Sequence, residues 1–112
     1  MRLSRLALLV ALVLPGCVVY DDTSSATIAW DPADTCFGLG ASTVFVNVVE
    51  AGDSFGTSAR VPCEAGGVSF ADLNPDTYIV LLDAELEPGV PLVHLEDEVP
   101  VHPGDNVFSY RF

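Results

Sequence analysis

Apolar and polar residues alternate along most of this chain from Ala26 onwards, and no long window keeps the helical period. Alternation with a period of two predicts half-buried β-strands, whose successive side chains point to opposite faces. The strand-like runs, of which the fifth contains two strands, are ATIAWD, STVFVNVVE, SARVPC, GVSFADL, DTYIVLLDAELEPGVPLVHLEDEVPV and NVFSYRF. We therefore predict an all-β domain over residues 26–112, with about seven strands.

The fifth run contains the clearest turn signal, because Glu87-Pro88-Gly89 places a residue of fixed φ before one that accepts positive φ. Short strands at these intervals predict a single antiparallel β-sandwich. Asp97 breaks the apolar parity of its strand, so we also predict a bulge near residues 96–98. The predicted inner face comprises Ile28, Trp30, Val46, Leu73, Tyr78, Val80, Leu82, Ala84, Val99, Val101, Phe108 and Tyr110.

The first 17 residues follow another pattern. Arg2 and Arg5 precede the apolar run Leu6–Leu14, which ends on Pro15, Gly16 and Cys17. An apolar helix of this length extends about 13 Å, well short of a hydrocarbon core about 30 Å thick. A charged start, a short apolar run and a small-residue exit are typical of a secretory signal, not of a permanent membrane span.

The letters LPGC, which end at Cys17, resemble the lipobox of bacterial lipoprotein precursors. The resemblance implies a diacylglycerol on the Cys17 thiol, cleavage of residues 1–16 as a signal peptide, and acylation of the new amino group. Two or more acyl chains hold a protein stably on a bilayer, whereas one holds it marginally. The alternatives are an ordinary cleaved signal peptide and an N-terminal helix of the fold.

Residues 17–25 then form the lipidated cysteine and a short polar tether. The residue after the cysteine is Val18 and not Asp, which resembles lipoproteins that are sent on to the outer membrane. We therefore expect a bacterial cell-envelope location, lipid-anchored at the outer membrane.

The net charge of the chain limits the kinds of partner that it can bind. The chain has no lysine, and its four Lys+Arg residues face 16 Asp+Glu, which gives a net charge of −12. Loss of Arg2 and Arg5 with residues 1–16 changes the net charge from −12 to −14. Phosphate binding depends on clustered basic side chains, so nucleic acid is excluded as a partner. One interpretation of these acidic residues is that they bind cations. The alternative is that they reflect a compositional bias of the organism.

Three cysteines are present, and lipidation of Cys17 leaves Cys36 and Cys63. In an exported protein such a pair favours a disulfide, and we predict a Cys36–Cys63 bridge. Two unpaired thiols are the alternative. Zinc requires closely spaced pairs of ligands, which these two cysteines do not provide.

The segment GGVSFADLNPDTYIVLLDAEL, residues 66–86, resembles carboxypeptidase-regulatory-like and related transthyretin-like or Ig-like bacterial surface domains. The resemblance implies that Leu73 and Tyr78 are buried on either side of a tight turn. Asp76 stands where those domains most often carry Gly, and Asp tolerates the left-handed region, so the turn is expected to survive. Such a sandwich specifies an architecture and not an activity.

The residues that are candidates for metal binding or catalysis lie mainly on the predicted hairpin. His94 and His102 are the histidines available as a base, and neither accompanies a nucleophile motif. Oxygen ligands for calcium offer a sharper hypothesis, with solvated faces that guard a sheet edge as the alternative. The candidate metal ligands are Asp83, Glu85, His94, Glu96 and Glu98, with Glu87 beside them and Asp31 and Asp34 in the first loop as a second, weaker set.

Taken together, the sequence predicts a membrane-anchored cell-envelope lipoprotein that acts as a non-catalytic structural or binding module. The expected partners are the membrane, through the lipid on Cys17, and an envelope protein or glycan; no cofactor is expected. A calcium-binding adhesion or assembly module is the second hypothesis, and an enzyme is the third. A gain in melting temperature with calcium would favour the second over the first.

Overall fold

A computed structural model of the protein describes residues 23–112 and contains seven β-strands in two sheets. Cys17 and the predicted signal segment lie outside the described residues. The strands are β1 (Ser24–Trp30), β2 (Thr43–Glu50), β3 (Gly56–Pro62), β4 (Gly67–Leu73), β5 (Asp76–Glu87), β6 (Val90–Val101) and β7 (Gly104–Tyr110). The prediction of an all-β, seven-stranded sandwich is confirmed, and β1 begins at Ser24, within the segment predicted as a tether.

The three-stranded sheet has the order β4-β1-β7, and the four-stranded sheet has the order β3-β2-β5-β6. All neighbouring strands are antiparallel except β1 and β7, which pair in parallel from Ser24–Gly104 to Trp30–Tyr110. This parallel pair joins the first and last strands of the domain. Alternation along a strand does not report which distant strand lies beside it, so the sequence pattern did not reveal the pair.

The core lies between the two sheets. Ile28 from β1, Val44 and Val46 from β2, and Val80 and Leu82 from β5 are all fully buried. Burial of one such side chain contributes about 1.5–3 kcal/mol, so these positions dominate the stability of the sandwich. The predicted inner face is confirmed throughout, with Phe108 and Tyr110 only partly buried at the β7 end of their sheet.

A disulfide joins Cys36 to Cys63, as predicted, across a separation of 27 residues. Closing a loop of this size removes roughly 3.5 kcal/mol of chain entropy from the unfolded state. Cys36 lies in a π-helical turn, Ala33–Gly38, where the sequence pattern predicted only a loop. The indole Nε1 of Trp30 donates a hydrogen bond of 2.8 Å to the Cys63 carbonyl, which ties the bridge to the core.

The predicted bulge near residues 96–98 is wrong. Pairing between β5 and β6 is regular there, and the register shifts instead between Ala84 and Glu87, beside the hairpin turn. Asp97 therefore keeps the inner-face parity, opposite Val80. An inward carboxylate is tolerated because β6 is an edge strand, where Asp97 is exposed and accepts a hydrogen bond of 3.0 Å from the Tyr110 hydroxyl.

The turn between β4 and β5 also differs from the expectation. Leu73 and Tyr78 are buried as the resemblance implied, and the Tyr78 hydroxyl donates to the Asn74 carbonyl at 2.8 Å. The left-handed residue, however, is Asp72, with φ of 59°, and not Asp76. Asp72 lies where the β1–β4 register shifts, so the strained conformation belongs to an irregularity in β4, while Asp76 already begins β5.

Candidate functional site

Most of the candidate site residues lie on the outer face of the four-stranded sheet. On this face the antiparallel pairings form cross-strand rows, which run from β3 through β2 and β5 to β6. The four rows are Gly56-Val49-Ile79-Glu98, Ser58-Asn47-Leu81-Glu96, Arg60-Phe45-Asp83-His94 and Pro62-Thr43-Glu85-Pro91. Apolar side chains from β2 and β5 therefore occupy the middle of the face, and charges occupy the end nearest the hairpin turn and the β6 side.

Arg60 and Glu85 form the most ordered contact on this face. The guanidinium Nε donates to Glu85 Oε1 at 2.8 Å and its second nitrogen donates to Oε2 at 3.1 Å, which is a bidentate pair. The Arg60 guanidinium carbon also lies 4.6 Å from the centre of the Phe45 ring, close enough for a cation–π contact. The arginine is thus held on one side by a ring and on the other by a carboxylate.

Glu85 is only 3% exposed although it lies on an outward-facing row. Its carboxylate also accepts hydrogen bonds from the Thr43 hydroxyl at 2.8 Å and from the Gly89 N–H at 3.1 Å. The Arg60 guanidinium and then these two donors lower the pKa of Glu85 to about 2, against the opposing effect of burial. Glu85 therefore stays ionised and fixes the hairpin turn to β2 and β3.

His94 lies between two carboxylates one row away. Its Nδ1 is 2.5 Å from Asp83 Oδ1, on the partner strand, and its Nε2 is 3.0 Å from Glu96 Oε2, on its own strand. The hydrogen bonds to Glu96 and then to Asp83 raise the pKa of His94 above its ordinary value. A carboxylate only accepts hydrogen bonds, so this geometry stabilises the imidazolium, in which both ring nitrogens donate.

The structure brings together only part of the predicted metal set. Asp83, His94 and Glu96 are in contact, whereas Glu85 is bound by Arg60 and Glu98 lies one row beyond Glu96, opposite Ile79. In an antiparallel hairpin, the acids of β5 run towards the turn while those of β6 run away from it. Among residues 23–112, no group of three or more His, Cys, Asp or Glu side chains is arranged to hold a metal ion.

The remaining candidate side chains have local roles. Asp31 accepts a hydrogen bond of 2.9 Å from the Ala33 N–H, which holds the loop that leads into the π-helical turn. Asp34 lies 3.4 Å from an Arg111 nitrogen in an exposed ion pair. Glu87 is exposed at the end of β5 and pairs with Val90 across the turn.

A concave surface lies at the end of the sandwich away from the β5–β6 turn, where a cavity of about 270 Å³ is lined by Glu50, Asp53, Phe55, Asp72 and Tyr78 among others. A hydrogen bond with Asp76 raises the pKa of Glu50, while the Thr77 N–H and then Glu50 lower the pKa of Asp76. Phe55 is 89% exposed at the mouth of this cavity.

Arg60 is the residue that the sequence interpretation missed. It is one of only two arginines after Cys17, and no lysine is present, so each cation has a large excess of carboxylates available. The parity of β3 places Arg60 in the same row as Phe45 and Asp83. Scarcity and parity together were a signal for a structural ion pair, although they did not identify Glu85 as its partner.

Comparison with known proteins adds no relative: no protein-family model matches the chain, and no curated protein matches it. Within residues 23–112, no helix has the length and apolar character needed to cross a membrane. The Cys36–Cys63 disulfide indicates an oxidising compartment outside the cytoplasm.

Proposed function

We propose that this protein is a lipid-anchored lipoprotein of the bacterial cell envelope, whose acidic β-sandwich acts as a non-catalytic structural or binding module. The observation that carries the proposal is the order of charged start, short apolar run and LPGC that ends at Cys17. The Cys36–Cys63 disulfide supports it, because such bridges persist where exported proteins fold.

The non-catalytic assignment is supported by how the polar groups are used. His94 directs both ring nitrogens at carboxylates, so it holds its protons and does not serve as a base for a hydroxyl or thiol nucleophile. Glu85 is buried and stays ionised in its ion pair with Arg60, so it carries no proton to donate as a general acid. These groups shape and stabilise the outer face of the four-stranded sheet.

Anchoring at the outer membrane is part of the proposal, and it rests on Val18 following the cysteine. A lipid on Cys17 would hold the acidic domain that follows it next to the bilayer. A strongly negative domain is repelled by anionic headgroups, which keeps it from lying flat on the membrane surface. Envelope proteins and glycans are the partners that this arrangement fits.

Replacement of the cysteine tests the proposal directly. Cys17→Ala should move the protein from the membrane fraction to the soluble fraction, and the intact mass of the wild type should fit residues 17–112 plus diacylglycerol and an acyl chain. The matched control is Cys36→Ala/Cys63→Ala, which removes two other cysteines and should remain in the membrane fraction. A wild-type product that retains Met1 and carries an unmodified Cys17 would exclude the anchor.

A further inference from the structure

Two open sheets expose four edge strands, which are β4 and β7 in one sheet and β3 and β6 in the other. An edge strand presents unpaired N–H and C=O groups that recruit another strand unless prolines, charges or bulges protect it. The distribution of these protective features among the four edges identifies the edge that is available for pairing.

Three edges carry such protection. β6 contains Pro91 and Pro100, each of which lacks an N–H, and its outer face is acidic. β4 is interrupted where its register against β1 shifts, next to the left-handed Asp72. β3 carries the charged Arg60 and ends on Pro62.

β7 has neither a proline nor a bulge, and its one charged residue, Asp105, lies next to its first residue. All seven of its residues pair in regular register with β1, and no proline or bulge occurs between Gly104 and Tyr110. Val107 is 67% exposed on its outer side. Among the described residues, no strand pairs with the other side of β7.

The sequence of this strand is complementary to itself in the antiparallel direction. When DNVFSYR is paired with its own reverse about Phe108, Asp105 of one copy faces Arg111 of the other, and Val107 faces Ser109. We propose that β7 pairs antiparallel with β7 of a second copy of this chain, about a two-fold axis through Phe108, to form a six-stranded sheet across the dimer.

Charge complementarity supports the second copy as the occupant. Residues 23–112 contain only two arginines and no lysine, so two copies repel each other over most of their surfaces. The proposed register places a cation opposite a carboxylate at both ends of the interface. Arg111 is available for this contact, because its side chain is 83% exposed and its ion pair with Asp34 is an exposed contact of little energy.

The same register fits the pattern of exposure along β7. Asp105, Val107 and Ser109 are exposed and share the outer face of β7, and Arg111 is exposed directly after the strand, whereas Phe108 is half-buried on the inner face. Pairing about Phe108 brings its ring against the same ring of the second copy. The half-buried aromatic edge of the core is thereby covered as the backbone groups of β7 become paired.

A cysteine pair tests the register in the full chain. Residues directly opposite in an antiparallel pair have Cβ atoms about 5 Å apart, whereas diagonal positions are about 7–8 Å apart, beyond easy disulfide reach. Val107→Cys and Ser109→Cys, expressed together on differently tagged chains, should therefore crosslink on mild oxidation of membranes. Each variant alone should crosslink far less, and the wild type, with the same native cysteines, sets the background.

Charge exchange supplies the second test in the crosslinking background. Arg111→Asp places two carboxylates opposite each other at both ends of the pair, and Asp105→Arg places two guanidinium groups there. Each change should lower the crosslinked fraction roughly tenfold, since like charges directly opposite are destabilising and the contact occurs twice. The combined variant Asp105→Arg/Arg111→Asp restores opposite charges and should recover crosslinking.

Two results would overturn the proposal. Absence of mixed Val107→Cys and Ser109→Cys crosslinks above the wild-type background would exclude the β7 pair. Strong crosslinking of either single-cysteine variant by itself, or no recovery in the exchanged variant while it remains folded by circular dichroism, would exclude this register.

Discussion

The Arg60–Glu85 pair and the His94 cluster, which comprises Asp83, His94 and Glu96, lie side by side on one sheet face, with Arg60 in the same row as His94, but they differ in burial. Glu85 is 3% exposed, while the His94 side chain is 47% exposed. The shift in register between Ala84 and Glu87 lies at this end of the hairpin, where the Gly89 N–H reaches the Glu85 carboxylate. The buried carboxylate of Glu85 therefore lies where the hairpin pairing is irregular, whereas the solvated His94 lies where the pairing is regular.

The two sites also lose their contributions to the free energy of unfolding at opposite ends of the pH range. The pKa of Glu85 is lowered to about 2, so its contribution is present above the ordinary glutamate range, near pH 4.5, and is lost as the pH falls towards 2. The pKa of His94 is raised, so its contribution is present below its ordinary value of 6.5 and is lost as the pH rises through the folded-state pKa. Neutral and mildly acidic solutions are thus the range in which both sites contribute.

The largest effect should come from Glu85→Ala. The change removes the acceptor for Arg60, Thr43 and Gly89, and hydrogen bonds to a buried charged group contribute about 1.5–3 kcal/mol to the free energy of unfolding. We expect a loss of about 2 kcal/mol in urea unfolding at pH 7. Glu87→Ala, two residues away on the same strand and exposed, is the control and should change the free energy by less than about 0.5 kcal/mol.

A double-mutant cycle separates the ion pair from simple loss of packing. Arg60→Met and Glu85→Met should each destabilise the fold, and the double variant should be more stable than the sum of the single losses predicts, because neither charge is then left unpaired. Arg60→Met combined with Glu96→Gln is the matched control and should be additive. Additivity in both cycles would show that the pair is not coupled.

A smaller effect is expected at the exposed site. His94→Gln should remove the part of the pH dependence in which stability falls as the pH rises above 6.5, and should leave the acid limb due to Glu85 intact. Thermal unfolding of the variant and the wild type from about pH 2 to about pH 9 measures both limbs. His102→Gln is the matched control, and a wild-type-like alkaline limb in His94→Gln would refute this assignment.

The smallest effect concerns salt. Raising NaCl from 0.05 to 1 M shortens the screening length from more than about 10 Å to about 3 Å, which weakens exposed charge contacts more than buried ones. The stability difference between wild type and His94→Gln at pH 6 should therefore shrink, while that between wild type and Glu85→Ala should change little. Equal salt dependence of both differences would contradict the contrast in burial.

The candidate site shows how far pattern analysis reaches. The Pro88-Gly89 turn and the antiparallel direction of the hairpin together place Asp83 opposite His94, and both features were readable from the chain. The same direction separates Glu85 from Glu98, a consequence that the parity of single strands does not reveal. The partnership of Arg60 with Glu85 required knowledge that β3 and β5 both flank β2.

The sequence by itself determined the strands, the inner face, the position of the hairpin turn and the Cys36–Cys63 bridge, because each follows from local periodicity, turn chemistry or the small number of cysteines. The tertiary structure alone decided the parallel β1–β7 pair, the left-handed Asp72 and the burial of Glu85. These features depend on which distant segments meet and at what register. Side-chain alternation repeats every two residues, and so it specifies a face and not a neighbour.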